Sequence, residues 1–128
     1  MQKKIFIAAT LLGLLGIVLG AFAAHGLRSV LTDSALESFQ TGVRYQMYHA
    51  FFLFVIGFNS HLSSVQKKYI LGLTLAGIIL FSVSIYLFAT NTMTSIDFSF
   101  LGPITPFGGL LLISAWGFLL YVYIKHKN

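Results

Sequence analysis

Side chains that could do chemistry lie in three short segments of an otherwise apolar chain. The ten candidates are His25, Arg28, Gln40, Arg44, Tyr45, Gln46, His49, Ser82, Ser84 and Tyr86. Guanidinium groups suit the geometry of phosphate, and imidazoles can ligate haem. The pattern is therefore consistent with a small pocket for a lipid head group or a cofactor.

The competing interpretation is structural. Polar side chains on membrane helices hydrogen-bond across helices and hold them in register. His25 and His49 would then be hydrogen-bonded structural residues and not metal or haem ligands. Arg44 would either pair with Glu37, two turns away on its own helix, or bind a lipid phosphate. The residues alone leave both interpretations open.

Enzyme chemistry has no recognisable signature in this chain. There is no cysteine, which excludes thiolate catalysis, Cys-ligated zinc and iron–sulfur sites, and there is no C-x-x-C-H motif for covalent haem. Ser82 or Ser84 beside His49 would need an oxyanion hole, and nothing in the sequence positions one. We expect no enzyme activity, no metal and no cofactor, with haem or a quinone at His25 and His49 as the alternative.

The composition indicates a membrane protein. Of the 128 residues, 57% are hydrophobic and 9% are charged, whereas about 25% are charged in an ordinary soluble domain. A soluble domain of this size could not hide so much apolar surface. The net charge of +5 does not indicate nucleic-acid binding, because the basic residues lie at the ends of apolar segments and form no patch.

The apolar segments predict an all-α membrane protein, a bundle of four transmembrane helices in one domain of residues 1–128. A bilayer core about 30 Å thick needs roughly 20 apolar residues, and the predicted spans are about 5–24, 43–62, 69–89 and 107–124. The second span carries Arg44, Gln46 and His49. A capping-box pattern at Ser34 and Glu37 predicts one helix from about residue 34 to 62, extended on the outer side.

The basic residues predict that both termini are cytoplasmic in the cell membrane. Arg28 and Arg44 belong to the predicted outer side, and the predicted inner ends carry Lys3, Lys4, Lys67, Lys68, Lys125 and Lys127. This asymmetry follows the positive-inside rule. A secretory signal is the alternative for the N-terminus, but the apolar run exceeds the usual core of about 7–15 residues.

Small and aromatic residues predict packing and membrane depth. Gly13, Gly16 and Gly20 share one face of the first helix, where a GxxxG motif allows close helix approach, either within the bundle or between two copies. Four aromatic residues suit a belt at the inner membrane boundary: Tyr69, Trp116, Tyr121 and Tyr123.

Four motifs resemble those of a family of small bacterial membrane proteins, domain of unknown function 423 or uncharacterised protein family 0382. Residues 20–27 read GAFAAHGL, 39–50 FQTGVRYQMYHA, 81–86 FSVSIY and 101–109 LGPITPFGG. Ala23 and Val83 stand where the family often has glycine. The resemblance implies a multi-pass cell-membrane protein and supplies no activity.

We therefore weigh three functions. The first is a non-enzymatic membrane module that binds anionic lipid head groups or a protein partner through Arg28, Gln40 and Arg44. The second is a homo-oligomeric transporter or channel, against which stands the lack of an acidic residue within any span. The third is a haem- or quinone-binding redox protein.

Overall fold

The computed structural model describes residues 1–126, which form four long helices and, over that range, no strand. The helices are α1 (Gln2–Ala24), α2 (Asp33–Phe58), α3 (Ser64–Ala89) and α4 (Thr105–Lys125). A five-residue π-helical turn, Ile79–Val83, interrupts α3. Two short 3-10 turns, Asn91–Met93 and Ser99–Leu101, lie between α3 and α4. The prediction of an all-α chain with four long helices is confirmed.

Three helical segments are long and apolar enough to cross a membrane: Gln2–Ala24, Ser64–Ala89 and Ser99–Lys125, the last including the turn before α4. Helix α2 has 26 residues and is about 39 Å long, so its length is sufficient. Its polar residues make α2 less apolar than the other three helical segments, and it is not among the candidate spans. Sequence and structure therefore agree on three candidate spans.

Helix α2 begins at Asp33, close to the predicted residue 34, but its capping residue and its end differ from the prediction. The N-cap is Thr32, whose side chain accepts a hydrogen bond from the Ala35 backbone N–H at 3.2 Å, so the predicted capping box at Ser34 and Glu37 is wrong. Ser34 already lies in the first turn and cannot also cap it. The helix ends at Phe58, because Asn59 is extended, and does not reach residue 62.

Two hydrophobic clusters show that successive helices run in opposite directions. One cluster joins the start of α1, the end of α2, the start of α3 and the end of α4. It contains Ile5, Ala9, Phe52, Leu53, Ile56, Leu62, Ile70, Ala115, Leu119 and Val122. The other contains Ala23, Leu27, Leu31, Phe39, Tyr86 and Ala89. We call the first side the terminal end and the second, which carries the α1–α2 and α3–α4 connections, the loop end.

The glycine face of α1 packs against α2 of the same chain. A Cβ at Gly16 would lie 2.5 Å from the Met47 sulfur, and one at Gly20 would lie 3.4 Å from a Val43 methyl group. At Gly13 the nearest neighbour is the Ala50 Cβ, at 3.9 Å. Small residues here let the two backbones approach closely, and α2 covers this face.

Helices α3 and α4 meet backbone to backbone at the π turn. A Cβ at Gly108 would lie 2.5 Å from the Leu80 carbonyl carbon and 2.8 Å from the Phe81 Cα. A Cβ at Gly77 would lie 3.2 Å from the Gly108 oxygen. The missing side chain of Gly108 thus lets α4 rest directly on the π turn.

Hydrogen bonds to the Asp97 carboxylate hold the connection between α3 and α4 in place. One oxygen of this exposed carboxylate accepts hydrogen bonds from the Ser99 hydroxyl at 2.5 Å, the Ser99 backbone N–H at 3.0 Å and the Asn91 amide at 3.1 Å. These bonds favour the charged form and lower the pKa of Asp97, with the Ser99 hydroxyl contributing most. Asn91 also accepts from the Phe98 N–H at 2.7 Å, so the loop end has a defined backbone.

Lys67 is buried and binds the end of α2. Its ammonium donates a hydrogen bond to the Gly57 carbonyl at 2.9 Å, and a cation is favourable at a helix C-terminus. We expect Lys67→Met to lower the free energy of unfolding by about 1 kcal/mol. Reversible unfolding in mixed detergent and SDS micelles measures the change.

The exposed neighbour Lys68 is the matched control for that variant. Lys68→Met should change the free energy of unfolding by less than about 0.5 kcal/mol. Equal losses for the two variants would show that the Lys67 bond contributes nothing.

Candidate functional site

Six polar side chains take part in separate hydrogen bonds between helices, and we call them the interior polar cluster. Its members are the buried Gln46, His49, Ser82, Ser84 and Tyr86 and the half-exposed Trp116. The Gln46 amide donates to the Leu12 carbonyl of α1 at 2.9 Å and accepts from the Tyr86 hydroxyl of α3 at 2.7 Å. Gln46 is 3% exposed, so one buried side chain on α2 joins three helices.

A second tie joins α2 to α3. The Ser82 hydroxyl, on the π turn, donates to the Gly42 carbonyl at 2.8 Å and is fully buried. A Cβ at Gly42 would lie 2.6 Å from the Tyr86 ring, so glycine is needed for this approach. Two of the four sequence motifs, residues 39–50 and 81–86, therefore pack against each other through a side-chain to backbone hydrogen bond and through the close approach of Gly42 to Tyr86.

Ser84 supports the π turn and links it to α4. Its hydroxyl lies 2.6 Å from the Leu80 carbonyl oxygen, 2.9 Å from the Phe81 carbonyl oxygen and 2.7 Å from the Thr105 hydroxyl. A π turn weakens the regular helical hydrogen-bond ladder, and serine hydroxyls satisfy such carbonyls. Ser84 therefore stabilises the local helix geometry, and its hydroxyl oxygen lies within hydrogen-bond distance of three other oxygen atoms.

His49 uses both ring nitrogens. Its Nδ1 lies 2.7 Å from the Tyr45 carbonyl, one turn earlier on α2, and its Nε2 lies 3.1 Å from the Trp116 indole nitrogen on α4. Because an indole N–H can only donate and a carbonyl can only accept, the ring is neutral with its proton on Nδ1. The geometry thus fixes the tautomer of His49.

Trp116 is the cluster member that the sequence analysis missed. At a rise of about 1.5 Å per residue it lies about 14 Å from Lys125 along α4, near mid-depth of the helix. The prediction of an inner-boundary belt is therefore wrong for Trp116. A hydrogen bond from its indole could have been suspected, because a tryptophan N–H in the middle of an apolar helix usually finds a hydrogen-bond partner.

Four of the five remaining candidates, His25, Arg28, Gln40 and Arg44, form a loop-end rim, and the fifth is Tyr45. His25, Arg28 and Arg44 are exposed and Gln40 is half-buried. Arg44 donates to the Thr41 hydroxyl at 2.8 Å, and Thr41 donates to the Glu37 carbonyl at 3.0 Å. Of the two alternatives for Arg44, pairing with the Glu37 carboxylate is not the contact that the described residues make. Within residues 1–126, the other three rim side chains make no hydrogen bond.

A lateral groove opens beside the interior polar cluster, between α2, α3 and α4. Its volume is about 760 Å³. Its walls are Tyr45, His49, Phe81, Gly109, Leu112, Ile113, Trp116, Gly117 and Leu120. Tyr45 and Trp116 are 41% and 50% exposed, so the groove faces outward from the helices.

The site has no arrangement typical of hydrolysis or metal binding. Ser82 and Ser84 are both bonded to backbone carbonyls, and His49 is bonded to neither of them. Across residues 1–126 no group of three His, Asp, Glu or Cys side chains could hold a metal ion. What the site offers chemically is a largely apolar cavity with a few neutral polar groups.

Comparison with known proteins identifies the family of the chain. The family model described as "Protein of unknown function (DUF423)" matches residues 19–109. This range includes five of the six residues of the interior polar cluster; Trp116 lies beyond it. No solved structure matches the chain.

Relatives match over nearly the full length. The chain is 39% identical to the UPF0382 membrane protein YwdK of Bacillus subtilis, covering 98% of this chain and 99% of that protein. It is 37% identical to UPF0382 membrane protein SH2409 of Staphylococcus haemolyticus, over 97% and 98%, and 34% identical to a UPF0382 membrane protein of Haemophilus influenzae, over 100% and 99%. The chain therefore belongs to the DUF423 family of membrane proteins.

Proposed function

We propose that all four helices cross the cell membrane, with the terminal end in the cytoplasm. The polar groups that make α2 less apolar support this, because Gln46 and His49 are buried and hydrogen-bonded to neighbouring helices. Polar residues satisfied in this way are tolerated inside a membrane. Arg44 lies about 21 Å from Phe58 along α2 and bonds to Thr41 in the direction of the loop end.

We infer that the protein is a non-enzymatic membrane module that binds a lipid-soluble molecule in the lateral groove. The carrying observation is the groove itself, about 760 Å³ in volume and lined mainly by apolar side chains. Ligand sites are commonly apolar cavities of about 300–1,000 Å³ with a few polar groups. The exposed guanidinium groups of Arg28 and Arg44 would hold phosphates of surrounding anionic lipids.

The packing at the terminal end favours binding over conduction. Ten buried apolar residues fill that end, nine from the four helices and Leu62 from the α2–α3 connection. Thr74 lies fully buried in this half, and its hydroxyl has no partner within residues 1–126. One copy of the chain therefore offers no continuous polar path, which supports a module that holds its ligand from the side.

Filling the groove tests this function. A Cβ at Gly117 meets no atom within 4 Å, and Gly117 lines the groove, so the side chain of Gly117→Leu begins in open space there and takes up part of the groove volume. We expect the wild type, released from mild detergent for native mass spectrometry, to retain a lipid-soluble molecule of defined mass. Gly117→Leu should reduce that retained fraction at least about tenfold, a loss of about 1.4 kcal/mol.

Gly72→Leu is the matched control. Gly72 is also an exposed mid-helix glycine whose Cβ would meet nothing within 4 Å, and it lies outside the groove. Its retained mass should equal that of the wild type. If Gly117→Leu and Gly72→Leu keep the same molecules in the same amounts, the groove is not a binding site.

A further inference from the structure

We propose that the lateral groove binds an isoprenoid quinone, a flat neutral ring with carbonyl oxygens and an apolar tail. This inference rests on the proposed function and names the ligand class. It concerns binding alone and involves no electron transfer.

The depth of the groove's polar residues argues against a charged head group. His49 lies about 14 Å from Phe58 along α2, and Trp116 about 14 Å from Lys125 along α4. With helices spanning a bilayer core about 30 Å thick, both side chains lie near its middle. Bringing a phosphate to that depth is costly, whereas a neutral ring can reside there.

The walls of the groove suit a flat ring. Phe81, Tyr45 and Trp116 present aromatic surfaces, and the Tyr45 and Phe81 rings are 5.0 Å apart between centroids. On α4 the lining of the groove includes Gly109 and Gly117, where helix backbone and not a side chain forms the wall. Aromatic rings pack favourably in offset or edge-on arrangements, so these surfaces favour a planar ligand over a flexible acyl chain.

The polar groups of the groove are neutral, and one of them, the Tyr45 hydroxyl, is free to donate a hydrogen bond. No charged side chain lines it, and the polar lining residues are Tyr45, His49 and Trp116. The Tyr45 hydroxyl makes no hydrogen bond within residues 1–126, whereas the single Trp116 N–H is donated to His49, whose two ring nitrogens are both bonded. The Tyr45 hydroxyl can therefore donate to a ligand, and a quinone carbonyl is a suitable acceptor.

The shape of the groove also accommodates a tail. Gly109 and Leu120 mark its extent on α4, about 16 Å along the helix axis. Leu112, Ile113 and Leu120 provide apolar contacts along that length. A ring near Tyr45 and Trp116 would leave the remaining length for isoprene units.

Trp116 is the single tryptophan of the chain, so its fluorescence reports on the groove directly. The test titrates detergent-solubilised full-length protein with menaquinone carrying four isoprene units, and a tryptophan ester in the same micelles corrects for collisional quenching. We expect saturable quenching for the wild type and Gly72→Leu. Gly117→Leu should lose saturation, and Tyr45→Phe should weaken binding about tenfold. Circular dichroism checks that each variant is folded.

Competing ligands separate this proposal from the proposed function. Geranylgeraniol, an isoprenoid alcohol without the ring, should displace the quinone poorly, and phosphatidylglycerol should not displace it. If native mass spectrometry shows phosphatidylglycerol lost from Gly117→Leu while the quinone never saturates, the quinone proposal is overturned and the groove function stands. If Gly117→Leu alters no bound molecule, both fail. Unchanged quinone affinity in Tyr45→Phe overturns the hydrogen-bond assignment.

Discussion

Replacing Gly108 by alanine should destabilise the protein by at least about 3 kcal/mol, the upper range for overpacking. The added Cβ would lie 2.5 Å from the Leu80 carbonyl carbon and 2.8 Å from the Phe81 Cα. Both neighbours are backbone atoms of the π turn and cannot rotate away as a side chain would. Helices α3 and α4 must therefore separate, which also disturbs the Ser84–Thr105 contact.

Gly117→Ala on the same helix is the control for Gly108→Ala. Its Cβ meets nothing within 4 Å, and alanine is the better helix former by about 1 kcal/mol. Unfolding in mixed micelles, followed by circular dichroism, should show a large loss for the first variant and none for the second. Equal stabilities would mean that the close contact at the π turn is absent in the folded protein.

Removing the Gln46–Tyr86 hydrogen bond should have the second-largest effect. Gln46→Leu leaves the buried Tyr86 hydroxyl without its partner and removes the bond to Leu12, and we expect a loss of about 2–3 kcal/mol. Tyr86→Phe should cost less, about 1 kcal/mol. Because both changes delete the same bond, the double variant should cost about 1 kcal/mol less than their sum.

The cycle is measured by the same unfolding experiment, with Gln40→Leu as its control. Gln40 lies on the same helix, is half-buried and makes no side-chain hydrogen bond within the described residues. Its replacement should change the free energy of unfolding by less than about 0.5 kcal/mol. Strict additivity of Gln46→Leu and Tyr86→Phe would contradict a direct bond between them.

The class of fold could be predicted from sequence because apolar segments of membrane length are a strong and local signal. The helix ends were harder, since Thr32 and Ser34 are both good caps and only the backbone geometry selects between them. The π turn in α3 has no sequence signal of its own. It is visible only in the folded backbone, where Gly108 of α4 packs against Leu80 and Phe81, a contact between distant parts of the chain.

The candidate site was predictable in part. Gln46, His49, Ser82, Ser84 and Tyr86 are buried and hydrogen-bonded, and among them only Gln46 and Tyr86 bond directly to each other. Gln40 and the exposed rim residues take no part in those hydrogen bonds. Trp116 was missed because tryptophan is typical of membrane boundaries, although this one lies near the middle of α4, and its partner is 67 residues away. The groove was not predictable, since it is a gap between three helices.

The tie between Gln46 and the Leu12 carbonyl has a consequence for biogenesis. A segment with Arg44, Gln46 and His49 near its middle is a poor substrate for release into lipid by the insertion machinery, because such residues raise the cost of partitioning. Helix α1 can lower that cost by offering its glycine face and a carbonyl acceptor. We therefore expect α1 and α2 to leave the translocon together as a helical hairpin. Deletion of α1 should then prevent α2 from inserting into the bilayer.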